Sequence, residues 1–307
     1  MSDDRRTIQV IKKTAIVFRS GCCLFFMKKV SFLEHFLGRD WEIMPAGGVT
    51  GKAFFARHAG QELFLKRNSS PFLAMLSAEG IVPKLVWTKR LENGDVISAQ
   101  HWMNGRELGP EEMESERVAR LMGKIHSSKP LLNMLKRLGK QPVLPAATLS
   151  EVRAQIHLIS AHPVVSRALH FLEERLPNVP DYQFVVCHTD VNHHNWLLSD
   201  QDELFLIDWD GAMIADPAVD IGTLLFGYVK QENWAQWLTQ YGLTLTPDFF
   251  HRMKWYAAVQ LLSSIEWNRE KTRFYEMNRG LASLHQLLEA EHTLFGNGEN
   301  RQDAFTK

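Results

Sequence analysis

Residues 187–196 read CHTDVNHHNW, and after a short polar segment residues 204–210 read LFLIDWD. Transfer of a phosphoryl group from ATP needs one carboxylate to accept the proton of the attacking hydroxyl. It also needs an amide oxygen and a second carboxylate to hold Mg²⁺ on the phosphates. Asp190, Asn195 and Asp208 supply these groups. Asp190 and Asn195 are five positions apart, so one loop carries both, and a strand turn is expected to return Asp208 beside them.

Two residues near this set are expected to support it. His188 is expected to brace the loop by hydrogen bonding. Asp220 is expected to cap the helix that begins near Ile221. Asp and Asn residues also favour turns, so each polar residue of the loop, taken singly, has a purely structural alternative.

The phosphate acceptor is expected to lie against Asp190. Asn192, His193 and Asp210 are the nearest candidates to contact it, and Asp210 has an alternative role as the ligand of a second metal ion. The pair His193 and His194 raises the question of zinc, but no further ligand at a zinc-site spacing accompanies it.

The composition argues against several classes of protein. The 35 Lys and Arg residues balance 35 Asp and Glu residues, so no net charge points to a nucleic acid or a membrane surface. No segment approaches the roughly 20 apolar residues of a membrane helix, so no membrane insertion is expected. The three cysteines offer neither a disulfide framework nor a zinc spacing, which favours a reducing cytoplasm.

Residues 1–26 resemble an imperfect signal peptide. Their apolar runs are short and are interrupted by Arg19, Ser20 and Gly21. Met27 then opens a segment that reads like a natural protein start. Residues 1–26 are therefore either an extension outside the folded core or a part of it.

The spacing at which hydrophobic residues recur changes along the chain and separates it into two parts. Up to about residue 103 it favours strands and one short helix, and from Pro110 it favours helices, with short strands around the catalytic loop. This pattern predicts an α+β protein with a β-rich N-lobe at 27–103, a helical C-lobe at 104–307 and a ligand cleft between them. The predicted strands are Trp41–Pro45, Ala53–His58, Glu62–Lys66, Lys84–Lys89, Asp95–Trp102, Phe184–Cys187, Trp196–Leu198 and Leu204–Ile207. The predicted helical segments are Phe72–Glu79, Pro110–Ser128, Ala147–Arg175, Trp255–Trp267 and Gly280–Phe295.

A glycine-rich segment precedes the second predicted strand. Residues 46–53 read AGGVTGKA, which resembles a Walker A loop. Ala53, however, replaces the hydroxyl that would bind Mg²⁺, and the following residues read as a strand where a Walker loop opens a helix. We interpret the segment as a flexible loop whose amides cover the phosphates, with a plain hairpin turn as the alternative. The residues expected at the nucleotide are Gly47, Gly48, Gly51 and Lys52.

Lys66 ends an apolar strand and is expected on the face opposite Leu65, where its charge suits phosphate oxygens. Such a lysine usually pairs with a glutamate on a helix. The only acid between Lys66 and Glu92 is Glu79, so either Glu79 is the partner or the pair is missing.

The segment that follows the last N-lobe strand is expected to contact adenine. Its candidates are Gln100, Trp102 and Met103, and ordinary core packing is the alternative for Trp102.

The late helices carry Trp255 and Tyr256, which are candidates to stack on a base or to cage a cation, with core packing as the alternative. Choline would need a cage of several aromatic rings, and an aminoglycoside would need a strongly acidic surface. Basic residues lie among the acids in these helices, so a neutral polyol such as ribose fits better.

Three motifs together resemble the aminoglycoside phosphotransferase and choline kinase superfamily, whose fold is protein-kinase-like. They are HTDxxxxN at 188–195, IDWD at 207–210 and DPAxD at 216–220. Residues 185–225, with FLKRNSSP at 64–71 and WLTxYG at 237–242, are most similar to the cell-cycle regulator kinases of Gram-positive bacteria, the CcrZ/YtmP group. The resemblance covers about residues 40–290. It implies Asp190 as base, Asn195 and Asp208 as Mg²⁺ ligands, and Asp220 as the brace of the catalytic loop.

The sequence therefore predicts an ATP- and Mg²⁺-dependent kinase that acts on a hydroxyl of a small metabolite. For the most similar group the resemblance suggests the ribose of a nucleoside or a related sugar. Choline and aminoglycosides are alternative acceptors. A weakly catalytic scaffold that binds nucleotide and a cell-division partner, at the division site, is the rival function. A P-loop ATPase is disfavoured by Ala53.

Overall fold

The computed structural model describes residues 37–38, 40–46 and 53–290. These residues form two compact units. The first contains the described residues up to 109 together with 193–211, and the second contains 110–192 together with 212–290. The lobe boundary predicted near residue 103 stays a prediction, and the predicted extension at 1–26 lies outside the described residues.

A five-stranded antiparallel sheet forms most of the first unit. Its strands, numbered along the chain, are β1 (Glu42–Pro45), β2 (Ala53–His58), β3 (Gln61–Arg67), β4 (Leu85–Arg90) and β5 (Val96–His101). Their order in the sheet is β1-β2-β3-β5-β4. β2 pairs with β3, and β4 pairs with β5, as the glycine-containing turns of the sequence predict.

The side chains on one face of this sheet form a hydrophobic core. The buried side chains alternate along three strands, because successive residues of a strand point to opposite faces. They are Phe54, Ala56, Leu63, Leu65, Ile97 and Ala99. Lys66 follows Leu65 and therefore lies on the other face of β3.

The described residues of the first unit also include a short helix between β3 and β4 and a second sheet. The helix is α1 (Phe72–Ala78). The sheet is antiparallel and consists of β6 (Gly105–Glu107), β8 (Trp196–Ser199) and β9 (Leu204–Leu206), with β8 in the middle.

The second unit is mainly helical. Its helices are α2 (Glu116–Ser127), α3 (Lys129–Arg137), α4 (Pro145–Gln155), α5 (Pro163–Glu174), α6 (Ala218–Tyr228), α7 (Trp234–Tyr241), α8 (Pro247–Glu270) and α9 (Phe274–Glu289). β7 (Val185–Cys187) and β10 (Met213–Ala215) form a two-stranded antiparallel sheet. Among the helices of the described residues, none is both long enough and apolar enough to cross a bilayer.

The long helix α8 is the centre of the second unit. It begins where Thr246 Oγ1 accepts a hydrogen bond from the Phe249 amide, with Pro247 in the first turn. Buried residues occur all round it because α6 and α9 both pack against it. Its Arg252 is 7% exposed and forms an ion pair with the fully buried Asp216, 2.9 Å away.

Several helix starts differ from the prediction. α8 begins at Pro247 instead of Trp255, and α9 begins at Phe274 instead of Gly280. The segment 110–128 is a 3₁₀ turn (Pro110–Glu114) followed by α2, because Ser115 is extended and separates them. Asp220 does not cap α6, since the helix begins at Ala218 and Asp220 lies in its first turn. Asp216 takes the capping role, and its Oδ1 accepts a hydrogen bond from the Ala218 amide over 2.9 Å.

The packing of α6 on α8 depends on Gly222. A Cβ at this position would lie 2.7 Å from the backbone carbonyl oxygen of Met253, which has little freedom to move. We expect Gly222→Ala to lower the free energy of unfolding by about 1–3 kcal/mol, the usual cost of overpacking. Chemical denaturation measures this change.

Gly227 on the same helix is the matched control, because a Cβ there meets nothing within 4 Å. Gly227→Ala should leave stability unchanged or raise it by up to about 1 kcal/mol through helix propensity. Equal losses in both variants would contradict a specific close approach at Gly222.

Candidate active site

The loop that follows β7 is held by the carboxylate of Asp220. Asp220 is fully buried in the first turn of α6. Its Oδ2 accepts a hydrogen bond from the His188 amide and its Oδ1 one from the Thr189 amide, both over 2.8 Å. One side chain therefore fixes two successive peptide groups, which agrees with a bracing role for Asp220.

The buried Asp220 carboxylate with its two amide hydrogen bonds, called the clamp below, holds an unfavourable backbone conformation. Thr189 has φ 73°, in the left-handed region that β-branched residues rarely adopt, at a cost of about 1–3 kcal/mol. Burial by itself would raise the pKa of Asp220. The hydrogen bonds that Asp220 accepts from His126 and from the His188 amide oppose burial, and the pKa of Asp220 lies below its ordinary value. The clamp is thus an ionised carboxylate, a stronger acceptor than a neutral acid.

The strained turn presents Asp190 at the surface. His188 is fully buried, and its Nδ1 accepts a hydrogen bond from the Asp190 amide over 3.2 Å. The carboxylate of Asp190 is exposed and accepts a short hydrogen bond from the Asn192 amide group. The second unit therefore brings together His188, Asp190, Asn192 and Asp220, as the sequence predicted for the loop.

Two further residues of this network were missed by the sequence reasoning. His126 Nε2 lies 3.1 Å from Asp220 Oδ2, and His126 Nδ1 lies 2.8 Å from the Tyr241 hydroxyl. His126 follows the buried Met122 by four positions on α2, so it shares the buried face of that helix. A polar residue on an apolar face indicates a buried partner, and this was the available signal.

The first unit gathers a lysine and two carboxylates. Lys66 Nζ lies 3.2 Å from Asp208 Oδ1 and 2.9 Å from Asp210 Oδ1. Burial by itself lowers the pKa of Lys66, but the hydrogen bonds and charges of Asp210 and Asp208 raise it above its ordinary value. Lys66 thus pairs with these two aspartates and not with Glu79, the acid that the sequence offered.

Asn195 lies next to Asp208 because of the sheet. Asn195 directly precedes β8, Asp208 follows β9, and the Ile207 amide donates to the Asn195 carbonyl over 2.8 Å. Asp208 has φ 64°, a left-handed conformation that Asp tolerates better than most residues. Such strained positions cluster at functional sites.

The donors of the first unit fit Mg²⁺. Two carboxylate oxygens already converge on one cation, the ammonium of Lys66, and both side chains are more than half exposed at 58% and 69%. Hard oxygen ligands with room for water are what Mg²⁺ prefers. Asp208 and Asp210 offer such donors, and the backbone of Asn195 lies close to Asp208.

The second unit contains one group of metal-ligand type among the described residues: His126, Cys187 and Asp220, with ligand atoms within 4.8 Å of one another. Both oxygens of Asp220 already accept amide hydrogen bonds. Burial, together with the charges of Asp220 and Asp216, raises the pKa of the Cys187 thiol well above its ordinary value. The group is therefore a hydrogen-bonded network rather than a metal site.

Comparison with known proteins identifies the family. The model of the phosphotransferase enzyme family (APH) matches residues 44–256, more than half of the chain. This protein belongs to that family. The match includes both the clamped loop of the second unit and the Lys66–Asp208–Asp210 cluster of the first.

Solved structures confirm the fold of this phosphotransferase, with its N-terminal antiparallel sheet and helical C-terminal part. The choline kinase LicA from Streptococcus pneumoniae is 17% identical, with a TM-score of 0.60 over 85% of this chain and 99% of that chain. A choline/ethanolamine kinase family protein from Mesorhizobium loti is 17% identical, with a TM-score of 0.61 over 92% and 95%. A spectinomycin phosphotransferase in complex with ADP and spectinomycin is 13% identical, with a TM-score of 0.60 over 81% and 93%.

The residues predicted to contact adenine in this phosphotransferase have mixed environments. Gln100 is 6% exposed within β5, and its side chain donates to the Pro83 carbonyl over 2.7 Å, which ties the sheet to the segment before β4. Its contact with adenine stays a prediction. Trp102 packs edge-on against Phe55, with ring centroids 4.7 Å apart, and remains half-buried, as does Met103. The phosphate contacts predicted in the glycine-rich segment lie outside the described residues; they are Gly47, Gly48, Gly51 and Lys52.

The predicted substrate residues also differ among themselves. Trp255 is fully buried and its indole donates to the Leu172 carbonyl, and Tyr256 is 3% exposed, so both follow the core alternative and offer no surface to a ligand. His193 is half-buried and stacks near His194, with ring centroids 4.0 Å apart. His194 in turn contacts Glu107 over 2.6 Å.

The clamp predicts how stability depends on pH. Because the pKa of Asp220 is lowered in the folded protein, its contribution is fully present above its unfolded value of 3.8 and is lost as the pH falls through the folded value. We expect Asp220→Asn to lower the free energy of unfolding by roughly 2–4 kcal/mol at neutral pH. The difference from the wild type should shrink below pH 3.8, as measured by denaturation at several pH values.

Asp181→Asn is the matched control, because Asp181 is exposed on the same unit. This variant should differ little from the wild type at any pH. A loss for Asp220→Asn that stays constant down to pH 2 would contradict an ionised clamp.

Proposed function

We propose that this phosphotransferase is an ATP- and Mg²⁺-dependent kinase that acts on a hydroxyl group of a small metabolite. The observation that carries the proposal is the convergence of Asp208 and Asp210 on Lys66, with Asn195 beside Asp208. This cluster combines a cation suited to phosphate oxygens with oxygen ligands suited to Mg²⁺. The complexes of the spectinomycin kinase with ADP and of LicA with AMP support nucleotide as the ligand.

The residues of the first unit bind and orient the donor in this proposal. Bound ATP with Mg²⁺ supplies the phosphoryl group. Asp208 and Asn195 hold the metal ion, and Lys66 contacts the phosphates and limits the build-up of negative charge. Lys66 is suited to this role because the two carboxylates keep it protonated.

Asp190 acts on the acceptor. It accepts the proton of the acceptor hydroxyl, whose oxygen forms a bond to the γ-phosphorus as the bond from that phosphorus to the departing ADP breaks. Its exposed carboxylate and its place on a turn held by Asp220 support this role. Asn192 donates to Asp190 and so limits the directions that its carboxylate can take.

A neutral sugar hydroxyl, such as that of ribose, is the acceptor that we propose. Trp255 and Tyr256 are buried, so they do not form an aromatic cage for choline. The basic residues of α8 are already engaged: Arg252 with Asp216, Arg269 with Glu266, and Lys254 with backbone carbonyls at the end of α9. These contacts balance the Arg and Lys residues of α8 locally, so this helix presents no unpaired cation to select an anionic acceptor.

A role in cell-cycle control belongs to the same proposal. In this role the protein is cytoplasmic and binds a protein partner at the division site. The role rests on the sequence resemblance to the cell-cycle regulator kinases. A nucleotide-binding scaffold of low activity is the corresponding alternative.

A panel of acceptors tests the reaction. With Mg²⁺ and ATP labelled in the γ-phosphate, we expect transfer of label to a nucleoside or to ribose. Choline, ethanolamine and an aminoglycoside are the competing acceptors, and transfer to one of these would overturn the ribose assignment. ATP binding without transfer to any acceptor would favour the scaffold.

The role of Asp190 has its own test. Asp190→Asn removes the proton acceptor while it keeps the shape of the side chain, so turnover should fall at least about 100-fold. The melting temperature and the affinity for ATP should remain close to those of the wild type. Asp181→Asn serves as the control, and unchanged turnover in Asp190→Asn would exclude the mechanism.

A further inference from the structure

Tyr241 connects the last turn of α7 to the buried clamp. Its hydroxyl lies 2.8 Å from His126 Nδ1, and the two rings meet edge-on at 84°. The backbones of α2 and α7 approach closely here, since a Cβ on Gly123 would collide with the carbonyl oxygen of Tyr241. The contact between hydroxyl and imidazole is therefore imposed by the packing of two helices.

The direction of each hydrogen bond follows from the clamp. Asp220 is an ionised acceptor of two amide groups, so the contact between its Oδ2 and His126 Nε2 must be an N–H donated by the imidazole. In the neutral ring Nδ1 then carries a lone pair. Burial and the nearby charges raise the pKa of Tyr241, so its hydroxyl keeps the proton that it donates to Nδ1.

We propose that Tyr241 is a positioning residue for Asp190, which acts by holding His126 in the neutral Nε2–H tautomer. This inference rests on the proposed function only in the role that it gives to Asp190. The hydroxyl of Tyr241 keeps the Nε2–H of His126 directed at Asp220. Asp220 then remains oriented on the amides of His188 and Thr189.

The path from Tyr241 to Asp190 is continuous. Asp220 accepts the Thr189 amide and holds Thr189 in its left-handed conformation. The next amide along the chain, that of Asp190, donates to His188 Nδ1. A rotation of the Asp220 carboxylate would release the Thr189 amide. Thr189 could then leave its left-handed conformation, and Asp190 would move with it. The structure thus gives α7 a direct effect on the proposed base.

Tyr241→Phe removes this hydroxyl and keeps the ring, including its parallel packing on Trp237, whose centroid is 6.1 Å away. The buried Nδ1 of His126 then lacks its donor, and the ring can exchange tautomers. Tyr182→Phe is the matched control, because Tyr182 belongs to the same unit and is 83% exposed.

The first measurement needs no substrate. ¹⁵N NMR of the histidine rings in the full chain should show His126 as the neutral Nε2–H form in the wild type and in Tyr182→Phe. The His126 signal among the 13 histidines is assigned by its loss in His126→Gln. In Tyr241→Phe we expect a mixture of tautomers, and an unchanged His126 signal would overturn the proposal.

The second measurement is turnover in a double-mutant cycle. Tyr241→Phe should lower kcat about tenfold and leave KM for ATP within about twofold, because Asp190 acts in the chemical step. The glutamine of His126→Gln donates to Asp220 without help from Tyr241, so Tyr241→Phe should have no further effect in that background. Losses that multiply, or that fall on KM for ATP, would show simple packing and overturn the proposal.

The two measurements separate this proposal from the proposed function. If no acceptor in the panel is phosphorylated, the proposed function fails and the NMR result alone decides whether Tyr241 controls His126. If transfer occurs and the His126 signal is unchanged in Tyr241→Phe, the proposed function stands and this inference fails.

Discussion

The structure of the loop after β7 depends on one buried negative charge. Asp220 is removed from water and yet stays ionised, because two amide groups and an imidazole donate to it. A buried carboxylate without such donors would become protonated. The free energy gained by satisfying this charge offsets the strain at Thr189. The hydrogen bonds to Asp220 thus hold the loop from its buried side, where water does not compete for them. Asp190 can therefore be exposed while its backbone stays fixed.

The charged cluster of the first unit is exposed, unlike the buried Asp220. Asp208 and Asp210 are exposed and close together, and their mutual repulsion is relieved by Lys66. A cluster that already balances charge in this way can exchange one cation for another at little electrostatic cost. The proposed nucleotide site would need this property, since the lysine would turn to phosphate if a metal ion took its carboxylates.

The family and the fold leave the acceptor open. Solved structures of this fold include kinases named for choline and for spectinomycin, at identities of 13–17%. Sites grafted on one fold differ in their substrates, so the fold does not transfer an acceptor to this chain. The proposal of a neutral acceptor rests instead on the buried positions of Trp255 and Tyr256 and on the internal pairing of the basic residues of α8.

The sequence by itself predicted the five strands of the first sheet and the motif of the loop after β7, but not β6, β10 or α3. Strand alternation at 53–66 and the spacing from Asp190 to Asn195 are local patterns, and local patterns are visible in a single chain. Only the tertiary structure decided which groups meet. The partners of Lys66 lie 142 and 144 positions away, and His126 meets Asp220 across 94 positions. Hydrophobic periodicity shows which face of an element is buried but not what lies opposite. Such pairs therefore exist only once the helices and sheets have packed.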